Sequence, residues 1–381
     1  VAKENLLIVA DSERNADLRY AVGVSLPDTF IWFTHRSRPF VVAHDLALER
    51  LRTAASHCRI LSYTTAERRL VRELNGDPVG LGDVLGAVLR GQRIKKVTVS
   101  ESFPLGLARA LRSRAIKVRL RSGPFFPDRA WKTADEVKKI VAALTMAEVG
   151  MAEGLHALRR TKRGKGNKLL LQNTPLTSER LRGIIDTAIL QSGGIPTQTI
   201  VAGGRQSADP HERGFGPLLA NQPIVIDVFP RSQLTGYHAD ISRTVVRGRA
   251  SETVRRMFAA VREAQDLAVA ETRHGVAASQ IHRSVEGVFR RHQFKTRRRL
   301  GRPEGFFHPA GHGIGLELHE APRISARSRE SLRAGHVVSI EPGLYFPEIG
   351  GVRLEDVIHV TRRAPENLTH LEKQLEWPFT T

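Results

Sequence analysis

The chain has 381 residues, a hydrophobic fraction of 41% and a net charge of +20, so it has room for two domains and a sizeable core. Its single cysteine, Cys58, excludes an intrachain disulfide framework and a thiolate metal cluster. No apolar run approaches the length of a membrane span, and the opening VAKENLLIVA lacks the basic and long apolar regions of a signal peptide, so a reducing, cytoplasmic setting is expected.

Residues 1–130 read as a separate α/β unit. Apolar strand-like runs fall at 5–10, 29–33, 39–43, 97–100 and 118–120. Amphipathic helical stretches lie between them, as at 46–54 and 81–89. This alternation predicts a sheet covered by helices. No phosphate-binding glycine fingerprint follows any of the strands. The SGPFFPDR stretch at 122–129 marks a domain boundary.

A long helix follows, opened by a capping box of Thr133 and Glu136. Val137, Ile140, Val141, Leu144, Ala147, Met151 and Leu155 keep one apolar face. A second helix starts after Thr177. Strands are predicted at 224–229 and 236–247. The pattern then recurs, with helices at 252–270 and 277–289 and strands at 336–346 and 351–360. Two helices and a hairpin, twice over, imply an internal duplication.

The positive charge is spread along the chain, with an excess of nine in residues 1–130 and eleven in the remainder. It peaks at 159–168, with six basic residues in ten, and at 290–302, with seven in thirteen. Such segments can meet phosphate backbones. Neither is interleaved with stacking aromatics, so a solvated arginine-rich surface is the expected reading and nucleic acid is not favoured.

Five residues carry the chemistry: Asp227, Asp240, His312, Glu341 and Glu355. Four carboxylates and one imidazole balance two divalent cations, and oxygen-rich donors favour Mn, Co or Fe over a thiolate zinc site. Two metals side by side can activate a water against a carbonyl. Asp227 ends the apolar run PIVID and is a ligand or a strand-end cap. Asp240 lies thirteen residues on, an offset that can bring both carboxylates to one face of a hairpin. His308, His312 and His319 stand in one glycine-rich segment, where glycine lets backbone approach closely. Glu341 follows an apolar run and precedes a strand-breaking Pro-Gly. Arg353 and Glu355 share a strand face, so a buried arginine orients a ligand, binds substrate or makes a structural ion pair. Asp356 points the other way and reads as a surface or structural residue.

This set resembles that of the pita-bread metallopeptidases, the family of methionine aminopeptidase, aminopeptidase P and prolidase. The motifs GHGIGLELHE, IEPGLY and GVRLEDV match in order and context, over residues 133–381. Residues 1–130 resemble, more weakly, the N-terminal domain of the creatinase, prolidase and aminopeptidase P branch, best from Asn15 to Gly23. The resemblance implies a creatinase-like α/β domain at 1–130. It also implies an α+β pita-bread catalytic domain at 131–381 with internal pseudo-twofold duplication. It implies a dinuclear-metal exopeptidase that cuts between an N-terminal residue and proline, with proline-containing peptides as substrates and a homodimer as the working unit. The cofactors would be two divalent ions, Mn²⁺ first and Co²⁺, Fe²⁺ or Zn²⁺ next.

By the same resemblance Asp227 would chelate one metal, Asp240 and Glu355 would bridge both, and His312 would bind the second. Glu341 would be a ligand and the proton shuttle. His319 would donate to the developing oxyanion, and His211 would position substrate. His308 and Arg353 would surround the substrate. One departure stands out. The family usually has Asp-x-Gly at the first ligand, whereas here Asp227 is followed by Val-Phe-Pro-Arg and the gap to Asp240 is two residues longer. An insertion of two preserves facing, so both ligands survive while the substrate rim changes. The alternatives are a methionine aminopeptidase, another pita-bread aminopeptidase, or a basic pita-bread protein that binds nucleic acid or ribosomes.

Overall fold

The structure is a computed structural model that describes residues 4–379. The chain divides into two compact units, Val1–Arg129 and Ala130–Thr381. In the first, strands Leu7–Ala10, Phe30–His35, Arg38–Ala43 and Arg59–Ser62 form one sheet in that order. The first three run antiparallel, and the fourth joins parallel to the third. Strands Lys96–Val99 and Lys117–Leu120 form a parallel pair. The Arg59–Ser62 strand has no fully buried residue, which is why its sequence carries no strand signal. Helix Ala16–Val22 was also invisible to periodicity. Its ends are set by local chemistry: Asn15 accepts from the Leu18 N–H, and Gly23 closes it in the left-handed region at φ 70°.

The second unit repeats one plan. Helix Ala134–Arg159 starts at the Thr133–Glu136 capping box, and helix Ser178–Gln191 starts at a Thr177 cap. They pack together beside a sheet ordered Ile200–Gly203, Pro223–Val228, Ile241–Arg247, Glu376–Trp377. Helices Glu252–Glu271 and Ala278–Arg291 then accompany a second sheet. Its order is Glu320–Ile324, Gly311–Gly313, Val337–Ile340, Asp356–His359, Glu366–Asn367. Among the described residues, Ala134–Arg159 is the one helix long and apolar enough to cross a membrane, but half of that apolar window is buried inside the protein. Its Ile140, Leu144, Ala147 and Met151 belong to the core.

The predicted strands differ from the observed ones where the functional residues lie. The expected strand 236–247 begins only at Ile241. Residues 232–237 form a tight turn instead, with the Ser232 N–H donating to the Tyr237 carbonyl. Asp240 sits just ahead of the strand. The expected strands 336–346 and 351–360 are each broken in two. Pro342 ends the first because it has no N–H for a ladder. At the second break the Glu355 N–H leaves its own hairpin and donates to the Ser242 carbonyl at 3.1 Å. Glu341 and Glu355 therefore stand at strand ends, free of a ladder on one side.

The basic segments engage the chain's own groups. Arg159 stacks on Trp377 at 3.6 Å, and Arg163 bonds Asn167. Arg291 and His292 both meet Glu263, and Arg297 meets Glu304.

Gly311 is a point of close approach: a Cβ there would collide with the Ser339 carbonyl oxygen on the neighbouring strand. Gly311→Ala is expected to lower stability by about 1–3 kcal/mol, the usual cost of overpacking. Denaturant midpoints measure this, and an unchanged midpoint would show that the strands can part freely.

Candidate active site

All the sequence-predicted site residues line a single cavity of about 660 Å³. The register explains the convergence. Asp227 lies opposite Ser242 in the antiparallel pair, so Asp240, two residues before Ser242, falls on the same face. Ile340 lies opposite Asp356, so Glu341 and Glu355 leave adjacent strand ends side by side.

Asp240, His312 and Glu355 come closest together, each offering an atom within 4.8 Å of the others. The His312 Nδ1 faces the Gly313 carbonyl at 3.1 Å, and a carbonyl can only accept, so Nδ1 carries the proton. The Nε2 then faces Asp240 Oδ2 at 3.5 Å and Glu341 Oε1 at 3.6 Å. The imidazole nitrogen and the two carboxylates thus turn their donor atoms towards one another, as ligands of a shared cation do. Asp240 Oδ1 and Glu355 Oε1 are buried without any hydrogen-bond partner. Orphaned buried carboxylate oxygens carry a heavy desolvation cost, which a divalent ion removes. The donor set fits a hard divalent cation.

The crowding has an electrostatic signature. Burial and the charges of Asp227 and Glu341 hold the Asp240 carboxyl well above its usual range. Glu355 is raised in the same way by burial and by Asp240. Glu341 is also raised, by burial first, with His312 and Arg353 opposing.

Asp227 stands apart from the trio. Its Oδ1 accepts from Ser242 Oγ at 2.6 Å, and its Oδ2 accepts from Arg353 Nη2 at 2.7 Å. Arg353 is almost fully buried and also donates to Ser242 Oγ, the Tyr345 hydroxyl and the Pro210 carbonyl. The Tyr345 hydroxyl lies 3.1 Å from His308 Nε2. Burial pushes the Tyr345 hydroxyl up to about 12. His319 stands at the exposed mouth with its ring edge-on to His312, centroids 4.3 Å apart. Desolvation, then His312 and Arg323, lower its pKa to about 4. His211 is exposed at the rim in a turn held by Asp209.

Sequence reasoning missed Ser242, Tyr345 and Arg323. Ser242 was legible in principle, since it lies two residues after Asp240 on the same face. Arg323 lies opposite His312 in register, so its side chain leaves the sheet on the cavity side. It is exposed, lines the cavity, and makes no hydrogen bond or ion pair among the described residues. Asp356, read as a surface or structural residue, is fully buried and ion-paired with Arg243.

Burial and the Arg353 charge lower His308 from its ordinary 6.5 to about 3, so it stays neutral in the folded protein. The unfolded chain takes up that proton near pH 6.5, so stability is full above 6.5 and falls as pH drops towards 3. His308→Asn is expected to flatten the loss of stability across this window. Urea midpoints at a series of pH values test it, and equal slopes in both proteins would remove His308 as the cause.

A profile of metallopeptidase family M24 matches residues 138–362, a span that contains every ligand candidate. Xaa-Pro dipeptidase of Pyrococcus horikoshii is 31% identical over 285 residues, 74% of this chain and 75% of that protein. Across the curated relatives the matched span runs from 48% to 75% of their own length. Among solved structures, Xaa-Pro dipeptidase from Bacillus anthracis superposes with a TM-score of 0.82 at 22% identity, covering 98% of this chain and 94% of that one. X-Pro aminopeptidase from Thermotoga maritima gives 0.80 at 23% identity, covering 98% and 97%. These likenesses establish the two-unit fold with a pita-bread second unit, repeated about a pseudo-twofold. Family membership brings with it a divalent metal and peptide substrates. The chain belongs to metallopeptidase family M24.

Proposed function

We propose that this chain is a metal-dependent exopeptidase that hydrolyses the bond between an N-terminal residue and proline, with Xaa-Pro dipeptides as its preferred substrates. The observation that carries the reading is the Asp240–His312–Glu355 trio, with two buried carboxylate oxygens lacking partners, in a cavity whose mouth holds the spare cation Arg323. Relatives named as Xaa-Pro dipeptidases support the substrate class.

In this reading Asp227, Asp240, His312, Glu341 and Glu355 hold two divalent ions, and the oxygen-rich set suits Mn²⁺. When bound, the ions polarise the scissile carbonyl and acidify a water. The protein's own groups do the rest. Glu341 is half-buried with a raised pKa, which suits it to take a proton from the water and pass it to the prolyl nitrogen. His319 is neutral and keeps one N–H to donate to the carbonyl oxygen as charge builds there. Arg353, with Tyr345 and His308 behind it, fixes the orientation of Asp227. His211 contacts the substrate at the rim. Phe229, Phe307 and Leu318 give the cavity an apolar wall for the pyrrolidine ring. Arg323 pairs with the free carboxylate of a dipeptide.

Asp240→Ala is expected to abolish both Mn²⁺ binding and hydrolysis of Xaa-Pro substrates. Turnover by the metal-stripped protein or by this variant would sink the reading. Arg323→Ala is expected to raise KM about tenfold or more for an Xaa-Pro dipeptide, the loss of one charge-assisted pair of about 1.5–3 kcal/mol. The corresponding dipeptide amide has no carboxylate and should be little affected. Equal losses on acid and amide would assign Arg323 to another role.

A further inference from the structure

The strand that carries the Ser242–Asp227 bond also carries a buried arginine pointing the other way. Arg243 has a side chain only 2% exposed. Its Nη1 donates to the Glu355 carbonyl at 2.7 Å and to the Ser242 carbonyl at 2.9 Å. Its Nη2 meets Asp356 Oδ1 at 2.9 Å and the Leu371 carbonyl at 2.5 Å, and its Nε meets the Glu372 carbonyl. The other Asp356 oxygen accepts from Lys373 at 2.7 Å and Asn367 at 3.0 Å. Every donor of the guanidinium side is therefore engaged, four contacts of the five being to main-chain carbonyls.

The consequence falls on Glu355. Its N–H is taken by the Ser242 carbonyl, and its own carbonyl is taken by Arg243. Both ends of that residue are tied to one strand, while its carboxylate is turned into a cavity with Asp240 and Glu341, whose charges repel it. A carboxylate that is repelled by its neighbours needs a rigid main chain behind it to hold its place. A guanidinium fork supplies this because it holds several acceptors in one plane; a lysine ammonium at the same site would reach only one or two.

We propose that Arg243, braced by Asp356 and Lys373, is a positioning residue for the metal centre: it fixes the main chain of Glu355 so that the orphaned carboxylate oxygens stay preset for a divalent ion. The proposal rests on the reading of Asp240 and Glu355 as metal ligands. It assigns Arg243 no contact with substrate. Arg243 reaches the centre through the Glu355 carbonyl and does not line the cavity, so it acts through position.

Mn²⁺ titration of the chelator-stripped full chain, by calorimetry and by the signal of free Mn²⁺ in electron paramagnetic resonance, tests this without any turnover. Arg243→Lys is expected to weaken Mn²⁺ binding roughly 10–100-fold, the range found when a residue behind a metal ligand is changed. Asp356→Asn keeps one acceptor oxygen, enough for the hydrogen bond from Arg243 but not also for those from Lys373 and Asn367, and should weaken binding less than Arg243→Lys. Lys373→Met, whose side chain is 17% exposed, leaves Asp356 paired with Arg243 and Asn367 and should give a smaller weakening in the same direction. A merely structural Arg243 would lower the melting temperature of the metal-free protein and leave the Mn²⁺ affinity of the folded fraction unchanged, which overturns the proposal. Unchanged affinity in Lys373→Met and Asp356→Asn overturns it as well. If the wild-type chain itself takes up no Mn²⁺, the ligand assignment falls first and this inference with it. Wild-type binding with unaltered variants sinks the inference alone.

Discussion

Arg353 and Asp227 form the buried ion pair around which the cavity is arranged. A buried pair repays its desolvation only when the remaining donors and acceptors are also satisfied. Here they are: Ser242 bonds both partners, and Tyr345 and the Pro210 carbonyl take further guanidinium hydrogens. The pair also answers a wider problem. Asp227, Asp240, Glu341 and Glu355 converge on one space, and the Arg353 cation lowers the cost of ionising Asp240 and Glu341. It sits on one side only. Asp240 and Glu355 keep raised pKa values and orphaned oxygens on the other side, the side to which the proposed function assigns the cation.

Three successive residues of one strand hold this arrangement. Ser242 bonds Asp227, Arg243 clasps the Glu355 carbonyl, and Thr244 exchanges hydrogen bonds with the main chain of Arg353. Alternation sends Ser242 and Thr244 to the cavity side and Arg243 to the opposite side. The two halves of the second unit are thus stitched along a single strand. Its paired neighbour Pro223–Val228 supplies Asp227, and Glu355 comes from the break just ahead of Asp356–His359 in the second sheet.

The candidate site was legible because each of its residues stands in an apolar or glycine-rich setting where a solvated charge has no place. Capping chemistry made the long helix legible to the residue, from Thr133 and Glu136. What was hidden is non-local. Glu341 and Glu355 stand at breaks in strands that period-two patterning reads as continuous, since Val337–Ile340 and Gly343–Phe346 are both apolar. Asp356 is charged beside another charge, and nothing local says that its partner, Arg243, lies 113 positions away. Arg323 follows a proline at an exposed position of a short strand and reads as surface. Only the pairing with His312 across the sheet gives it a place at the cavity mouth. The tight turn at 232–237 lies inside a stretch that the sequence reading takes as strand from 236; its signature is the Ser232 and Thr235 hydroxyls, which accept from the Thr235 and Tyr237 N–H groups.

The segment from Leu371 to Trp377 touches both halves of the second unit. Leu371, Glu372 and Lys373 surround Arg243 and Asp356, and Glu376–Trp377 adds a parallel strand beside Val246 and Arg247. Every candidate ligand precedes this segment in the chain, yet the carbonyls that hold the far edge of the Arg243 guanidinium belong to it. A chain cut between Glu355 and Leu371 keeps all the cavity carboxylates and loses half of the grip behind one of them.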